Sequence, residues 1–333
     1  MNRIIFLAIL IAFNLKAFGQ LTPKDLGYTH LIYNYKGDKV DILVKSRKGE
    51  ESVKKPVFFW CQGSLPQPLI IIGEKGAYGV FPFNPDSLSI KYHIVVVGKP
   101  YIPLIRETKI LGKNFMYLDS TTGKFTKEYS ERNLLDYYVE RNLKIIKYLR
   151  KQNWVSHEKL VVAGHSEGST IAAKMATKSS SITHLIYSGG NSMGRIMSMI
   201  LQNRVVESDT DSTRLADKEI EFWQYVVSNK SSMDYSQGDT PKATFEFSEP
   251  PVKYIETLKI PVLVSYGTKD YCSPYNDYMH VDFIRKGKKN VQFLTYLGTE
   301  HNYFPLTADN RPNYEIFNWD RVANDWLKWL NDK

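Results

Sequence analysis

Three short stretches carry residue types suited to covalent chemistry. The first is Gly164-His165-Ser166-Glu167-Gly168-Ser169, which follows the apolar run Lys159-Leu160-Val161-Val162-Ala163. A serine at the tip of a sharp strand-to-helix turn needs small neighbours, and Gly164 and Gly168 supply them two residues to either side of Ser166. Such a turn raises the Ser166 hydroxyl above a sheet, with the N-terminus of the next helix beneath it. A serine hydroxyl is a weak nucleophile near neutral pH, so it needs a base, and the base needs an orienting carboxylate. The second stretch, Ser265-Tyr266-Gly267-Thr268-Lys269-Asp270, places Asp270 just past a strand-like run, and the third, Leu297-Gly298-Thr299-Glu300-His301, does the same for His301. Nucleophile, acid and histidine in that chain order suit a Ser–Asp–His triad assembled at one edge of a sheet.

The other candidates fit less well. His30, His93, His157, His165 and His184 all precede the point where the base is expected. His165 is the turn's own variable residue, and packing is its more ordinary use. His280 follows Asp270 inside an apparent helix. Asp277 is a second choice of acid, and Glu300, beside His301, is expected to point elsewhere. Acyl transfer also needs donors for an oxyanion. The Glu167 N–H is one. A second is expected from the loop Cys61-Gln62-Gly63-Ser64-Leu65-Pro66, where Gly63 lets the backbone turn inward and Ser64 is the first choice. The Glu167 side chain is expected to face solvent or to sit at the helix N-terminus, where the dipole favours a carboxylate. No metal-ligand spacing or nucleotide loop occurs, so no metal or cofactor is expected.

These groups must be held by regular elements. Residues 29–46 read as two antiparallel strands around a Lys36-Gly37-Asp38 turn. The run Val57-Phe58-Phe59-Trp60 is apolar, and His93-Ile94-Val95-Val96-Val97 carries a continuous β-branched run, as expected of a strand covered on both faces. A helix is expected over 131–152, with Leu134, Leu135, Tyr138, Leu143, Ile146 and Leu149 on its apolar side. After the Ser166 turn come an Ala-rich helix over 169–178 and strands beginning near Thr183, Ile260 and Val291. A closing helix over 313–331 points Ile316, Trp319, Val322, Trp326 and Leu330 inward. Alternating strands and helices predict an open, mostly parallel sheet with helices on both faces. Residues 191–258 read as an insertion: four hydrophobic positions at Met193, Met197, Met199 and Ile200, a helix over 214–227, then a polar loop. This is expected to be a lid or cap, with Phe222, Trp223, Tyr225, Phe245 and Phe247 packing in it or lining an acyl pocket.

Composition sets the remaining bounds. The chain has 333 residues, 43% hydrophobic and 24% charged, enough for a large buried core. Its start combines Arg3, a ten-residue apolar run from Ile4 to Phe13, and Ala17-Phe18-Gly19. That pattern predicts a secretory signal over 1–19, cleaved before Gln20, and hence an exported protein, periplasmic or extracellular. The run is too short to span a bilayer, and no stable membrane insertion is expected. The net charge of +9 falls to +7 without Arg3 and Lys16. The lysines are scattered, and no basic recognition motif points to nucleic acid. The cysteine pair, Cys61 and Cys272, permits a disulfide in an exported protein, though both adjoin the segments assigned to chemistry.

The segments GHSEGS, YGTKDYCSP and LGTEHNYF, in this order, resemble the α/β-hydrolase superfamily, and the resemblance covers most of the chain after residue 28. The second is similar to the superfamily's acid loop, with Pro274 shortly after the acid, and the third to its histidine loop. Many members begin the oxyanion loop with His-Gly where this chain has CQGS, which leaves the second donor open. The resemblance implies one α/β-hydrolase domain over 20–333, with the insertion as lid or cap, and hydrolysis through an acyl-serine. A small-molecule carboxylic ester is the leading substrate class. A prolyl-oligopeptidase-like serine peptidase acting on short peptides, a thioesterase or acyltransferase, and a non-catalytic binding protein on the same fold are the alternatives.

Overall fold

A computed structural model describes residues 21–236 and 238–333. The expected signal segment and its cleavage point lie outside the described residues. Eight strands form the main sheet: β1 (Tyr28–Tyr35), β2 (Asp38–Lys45), β3 (Lys55–Cys61), β6 (His93–Val97), β8 (Val155–His165), β9 (His184–Ser188), β10 (Val262–Gly267) and β11 (Val291–Tyr296). They run in the order β1-β2-β6-β3-β8-β9-β10-β11. The β1–β2 hairpin is antiparallel, β2 meets β6 antiparallel, and every pairing from β6 to β11 is parallel. Three short strands, β4 (Ile70–Gly73), β5 (Gly76–Gly79) and β7 (Ile105–Glu107), make a small second sheet that the sequence reading did not anticipate.

The helices are α1 (Asp86–Ser89), α2 (Lys127–Arg132), α3 (Leu135–Leu149), α4 (Glu167–Lys178), α5 (Arg195–Val206), α6 (Leu215–Ser228), α7 (Pro241–Phe247), α8 (Val252–Thr257), α9 (Ser273–Arg285) and α10 (Trp319–Asn331). Successive strand residues point to opposite faces, and the core divides accordingly. On β3, Val57, Phe59 and Cys61 join the cluster built with Leu135, Ile146, Ile171 and Phe283 from α3, α4 and α9. Phe58 and Trp60 join the opposite cluster with Trp326 and Leu330 of α10. Both faces are therefore dry, which explains the unbroken apolar runs.

Three expected elements differ. The helix predicted over 131–152 is two helices. Asn133 (φ −76°, ψ 61°) and Leu134 (φ −124°, ψ 141°) leave the helical region. The Asn133 amide donates to Asp239 at 2.7 Å and its carbonyl accepts from the Tyr138 hydroxyl at 2.9 Å, bonds that straight helix would not supply. The closing helix begins at Trp319, and Ile316 is exposed while Trp319, Val322, Trp326 and Leu330 are buried. The polar loop expected after α6 contains α7 and α8. The N-cap of α7 is made by Thr240, whose hydroxyl accepts from the Ala243 N–H at 3.0 Å, with Pro241 at the first helical position.

Candidate active site

Parallel pairing brings the ends of β3, β6, β8, β9, β10 and β11 to one edge of the sheet, where open α/β sheets hold their ligands. Ser166 sits between β8 and α4 at φ 56° and ψ −127°, an uncommon conformation for a residue with a side chain. Strain of this kind persists only where the surroundings enforce it. Here the two glycines are sterically required. A Cβ on Gly164 would lie 2.1 Å from the Gly168 carbonyl oxygen, and one on Gly168 would lie 2.1 Å from the Cys61 carbonyl oxygen. The turn is thus locked against the end of β3.

Asp270 and His301 meet as the sequence reading placed them. The His301 Nδ1 lies 2.8 Å from Asp270 Oδ2, and Asp270 Oδ1 accepts from the Cys272 N–H at 2.9 Å. The Asp270 side chain is fully buried, whereas the His301 ring keeps 18% of its surface open. Burial disfavours an imidazolium, yet the charge and hydrogen bond of Asp270, with help from Glu300, raise His301 above the ordinary histidine value. With Nδ1 engaged, Nε2 is the nitrogen left for chemistry. Ser166 and His301 line one cavity of about 280 Å³, together with Ser64, Glu167, Arg195 and Tyr271. No hydrogen bond joins the Ser166 hydroxyl to the ring in this structure, and such bonds often tighten only with substrate bound. A larger hollow of about 1170 Å³, beside Tyr28, Lys45 and Asp86, contains none of these residues, so size alone does not mark the chemistry.

The set-aside residues have other partners. Asp277 accepts from the Tyr266 hydroxyl at 2.5 Å. His280 stacks on Phe293 with ring centroids 4.0 Å apart. Glu300 turns back to accept from the Asn302 and Phe304 N–H groups. His165 is buried and packs behind the site, 4.8 Å from both the His301 and Trp319 ring centroids, with Nδ1 3.0 Å from the Ser188 hydroxyl. Cys61 and Cys272 are free, buried thiols with no bridge between them.

A Cβ on Gly63 would stand 3.9 Å from the Ser166 Cβ, so the Gly63–Ser64 loop lies directly against the turn. Glu167 opens α4, where helix geometry leaves its N–H without an intrahelical acceptor. Its carboxylate stands in the first turn of α4, one of the two places expected for it. It does not face solvent: the side chain is 6% exposed, bonded to Arg195 of α5 and 3.8 Å from the Lys99 ammonium. Arg195 is in turn held by Asp239 at 2.8 Å. Lys99, Arg195 and Asp239 were all missed by the sequence reading, since no local spacing links them to Ser166. Phe247 reaches the same cavity, as do Met199 and Gln202 from α5. The aromatic pairs Phe222–Tyr225 and Trp223–Phe245 instead stack on each other. Among the described residues no cluster of three His, Cys, Asp or Glu side chains is arranged to hold a metal ion.

A family model described as BAAT / acyl-CoA thioester hydrolase C terminal matches residues 135–315, more than half of the chain and the span that includes Ser166, Asp270 and His301. The chain belongs to this family. It belongs to the α/β-hydrolase superfamily, with the mostly parallel sheet that this fold requires. Among solved structures, Est1E from Butyrivibrio proteoclasticus is similar at a TM-score of 0.52 and 14% identity, over 91% of this chain and 98% of that one. An acylaminoacyl peptidase from Pyrococcus horikoshii matches at a TM-score of 0.52 and 17% identity, over 82% of this chain. Dipeptidyl peptidase 4 from Porphyromonas gingivalis matches at 0.53 and 10%, over 92% of this chain. The chain spans only 37% and 35% of the length of those two peptidases. At such identities these neighbours bear on the fold of this chain and not on its substrate. A search of curated proteins finds no match.

Proposed function

We propose that the protein is an exported serine hydrolase that cleaves a small carboxylic ester through an acyl-Ser166 intermediate. The observation that carries this reading is Ser166 at the strained turn, sharing a cavity with a His301 whose other nitrogen is bonded to Asp270. In the first half-reaction the Ser166 Oγ attacks the substrate carbonyl carbon while His301 Nε2 takes the hydroxyl proton. The carbonyl oxygen becomes an oxyanion and accepts hydrogen bonds from the Glu167 and Ser64 N–H groups. Collapse breaks the bond to the leaving alcohol, which receives the proton from His301. Water then attacks the acyl-serine while His301 takes its proton, the acyl–Oγ bond breaks, Ser166 Oγ recovers the proton from His301, and the acid departs. Asp270 stays ionised and stabilises the imidazolium in both steps.

The cavity of about 280 Å³ favours a short acyl group, being at the small end of ligand sites. Residues 191–258 act as the lid: Arg195, Met199 and Gln202 of α5 reach into the cavity from above the sheet edge. A second reading is favoured by the family match, whose description names thioester hydrolysis. The same steps serve a thioester, with a thiol as leaving group. The experiment that separates them is turnover of p-nitrophenyl acetate, a short-chain acyl thioester and an aminoacyl p-nitroanilide, each with the wild type and Ser166→Ala. Ester turnover abolished in the variant supports the proposal. Turnover confined to the anilide would replace it with a peptidase.

A further inference from the structure

Lys99 stands on the loop after β6 with its side chain 3% exposed. Taking an ammonium out of water costs several kcal/mol unless partners compensate, so the partners matter. Its Nζ donates to the Ser64 carbonyl at 3.1 Å and lies 3.8 Å from Glu167 Oε1. The Ser64 carbonyl also accepts from the Tyr129 hydroxyl at 3.3 Å. Glu167 Oε1 is buried and accepts no hydrogen bond, so the ammonium is the charge that balances it, while Oε2 is held by Arg195. The rings of Tyr138 and Tyr129 sit 5.2 and 6.0 Å from Nζ and close the site from below. One cation therefore meets both residues to which the oxyanion donors are assigned above, and both line the Ser166 cavity although they come from different strand ends.

We propose that Lys99 is a positioning residue of the oxyanion hole: its ammonium, bonded to the Ser64 carbonyl and paired with the Glu167 carboxylate, fixes the separation of the two donating peptide groups. This rests on the acyl-serine reading above. An oxyanion donor acts only if it is aimed before the charge develops. Without the cation, the Ser64 carbonyl keeps only the Tyr129 hydroxyl as partner, and a buried Glu167 oxygen loses its balancing charge. Lys99 does not touch substrate; it acts through Ser64 and Glu167. The groups facing it are Glu167 and Asp239, which favour the ammonium, and Arg195 and Arg141, which oppose it. Burial, the largest influence, brings it down to about 8. The cation is thus present at neutral pH and is lost as pH rises through that value.

The test uses full-length protein and p-nitrophenyl acetate. Lys99→Met keeps the length of the stem and removes the charge. It is expected to lower kcat by ~10²-fold, the cost of losing one oxyanion donor, with KM changed by less than about threefold. Wild-type kcat is expected to fall above about pH 8, and that alkaline fall is expected to be missing from the variant. A merely structural role would lower the melting temperature and leave the pH profile alone. If Lys99→Met does not fold, Lys99→Gln and the wild-type profile serve instead. Normal kcat in a folded Lys99 variant, or a wild-type kcat that is flat through the alkaline range, overturns the inference. Ester turnover surviving Ser166→Ala would instead overturn the acyl-serine reading, so the two failures are distinguishable.

Discussion

His301 needs its neutral form to act as a base, and its surroundings decide when that form is present. Burial lowers its affinity for a proton, but Asp270 more than offsets this, so the ring titrates above the ordinary histidine value. We therefore expect kcat/KM to rise with pH through a midpoint above ~6.5, measured as a rate profile on p-nitrophenyl acetate. In Asp270→Asn the main raising influence is gone and only Glu300 is left against burial, so the midpoint should move down; an unmoved midpoint would dissociate Asp270 from the base. The same variant should lose ~10⁴-fold in turnover, because the amide favours the wrong tautomer. Asp277→Asn, a chemically identical change, should cost little in turnover, since Asp277 bonds Tyr266 and not His301. A crippled Asp277 variant beside a normal Asp270 variant would reverse the assignment. Ser166, Asp270 and His301 were legible because each follows a strand-like run, and strand ends in a parallel sheet share an edge. The environment of Glu167 was not legible. Its partners, Lys99 and Arg195, approach from a distant loop and from the insertion, and nothing in the local pattern records which cations a fold brings to a carboxylate.

At the scale of elements, the tight fit between the Ser166 turn and the end of β3 makes a specific demand. A methyl group on Gly168 would meet the Cys61 and Gln62 carbonyl oxygens at 2.1 and 2.6 Å, and backbone atoms do not swing aside as side-chain tips do. Gly168→Ala should therefore push the Gly63–Ser64 loop outward. We expect a destabilisation of ~1–3 kcal/mol, the usual cost of overpacking, and a kcat loss of ~10²-fold from the misplaced donor. Wild-type thermal stability and kcat together would contradict the contact. The central strands were readable for the same physical reason that they fit: Val57 to Trp60 and Ile94 to Val97 are buried on both faces and are apolar throughout. Where a side chain overrides periodicity, the reading failed. Asn133 exchanges helix continuity for bonds to Asp239 and Tyr138, splitting one expected helix into α2 and α3. The strands β4 and β5 are four residues each, too short for alternation to declare itself.

For the whole molecule, the strand ends gather Ser166, Asp270 and His301 at one edge of the sheet, and export is a proposal that rests on the residue pattern over 1–19. We expect the exported protein to begin at Gln20, checked by intact mass; a chain that retains Met1 would contradict the proposed localisation. Among the described residues no helix is long and apolar enough to cross a membrane. Superfamily membership follows from order and spacing that a chain displays openly, whereas substrate preference depends on the side chains that α5 and α7 bring to the cavity. The central claim is that Ser166 is the nucleophile, and the most direct measurement is mass spectrometry of the folded protein after reaction with a fluorophosphonate probe. The account predicts one adduct, on the peptide containing Ser166, that disappears in Ser166→Ala and forms much more slowly in His301→Ala. A folded wild-type protein that takes no label, or an adduct that persists unchanged in Ser166→Ala, would contradict it.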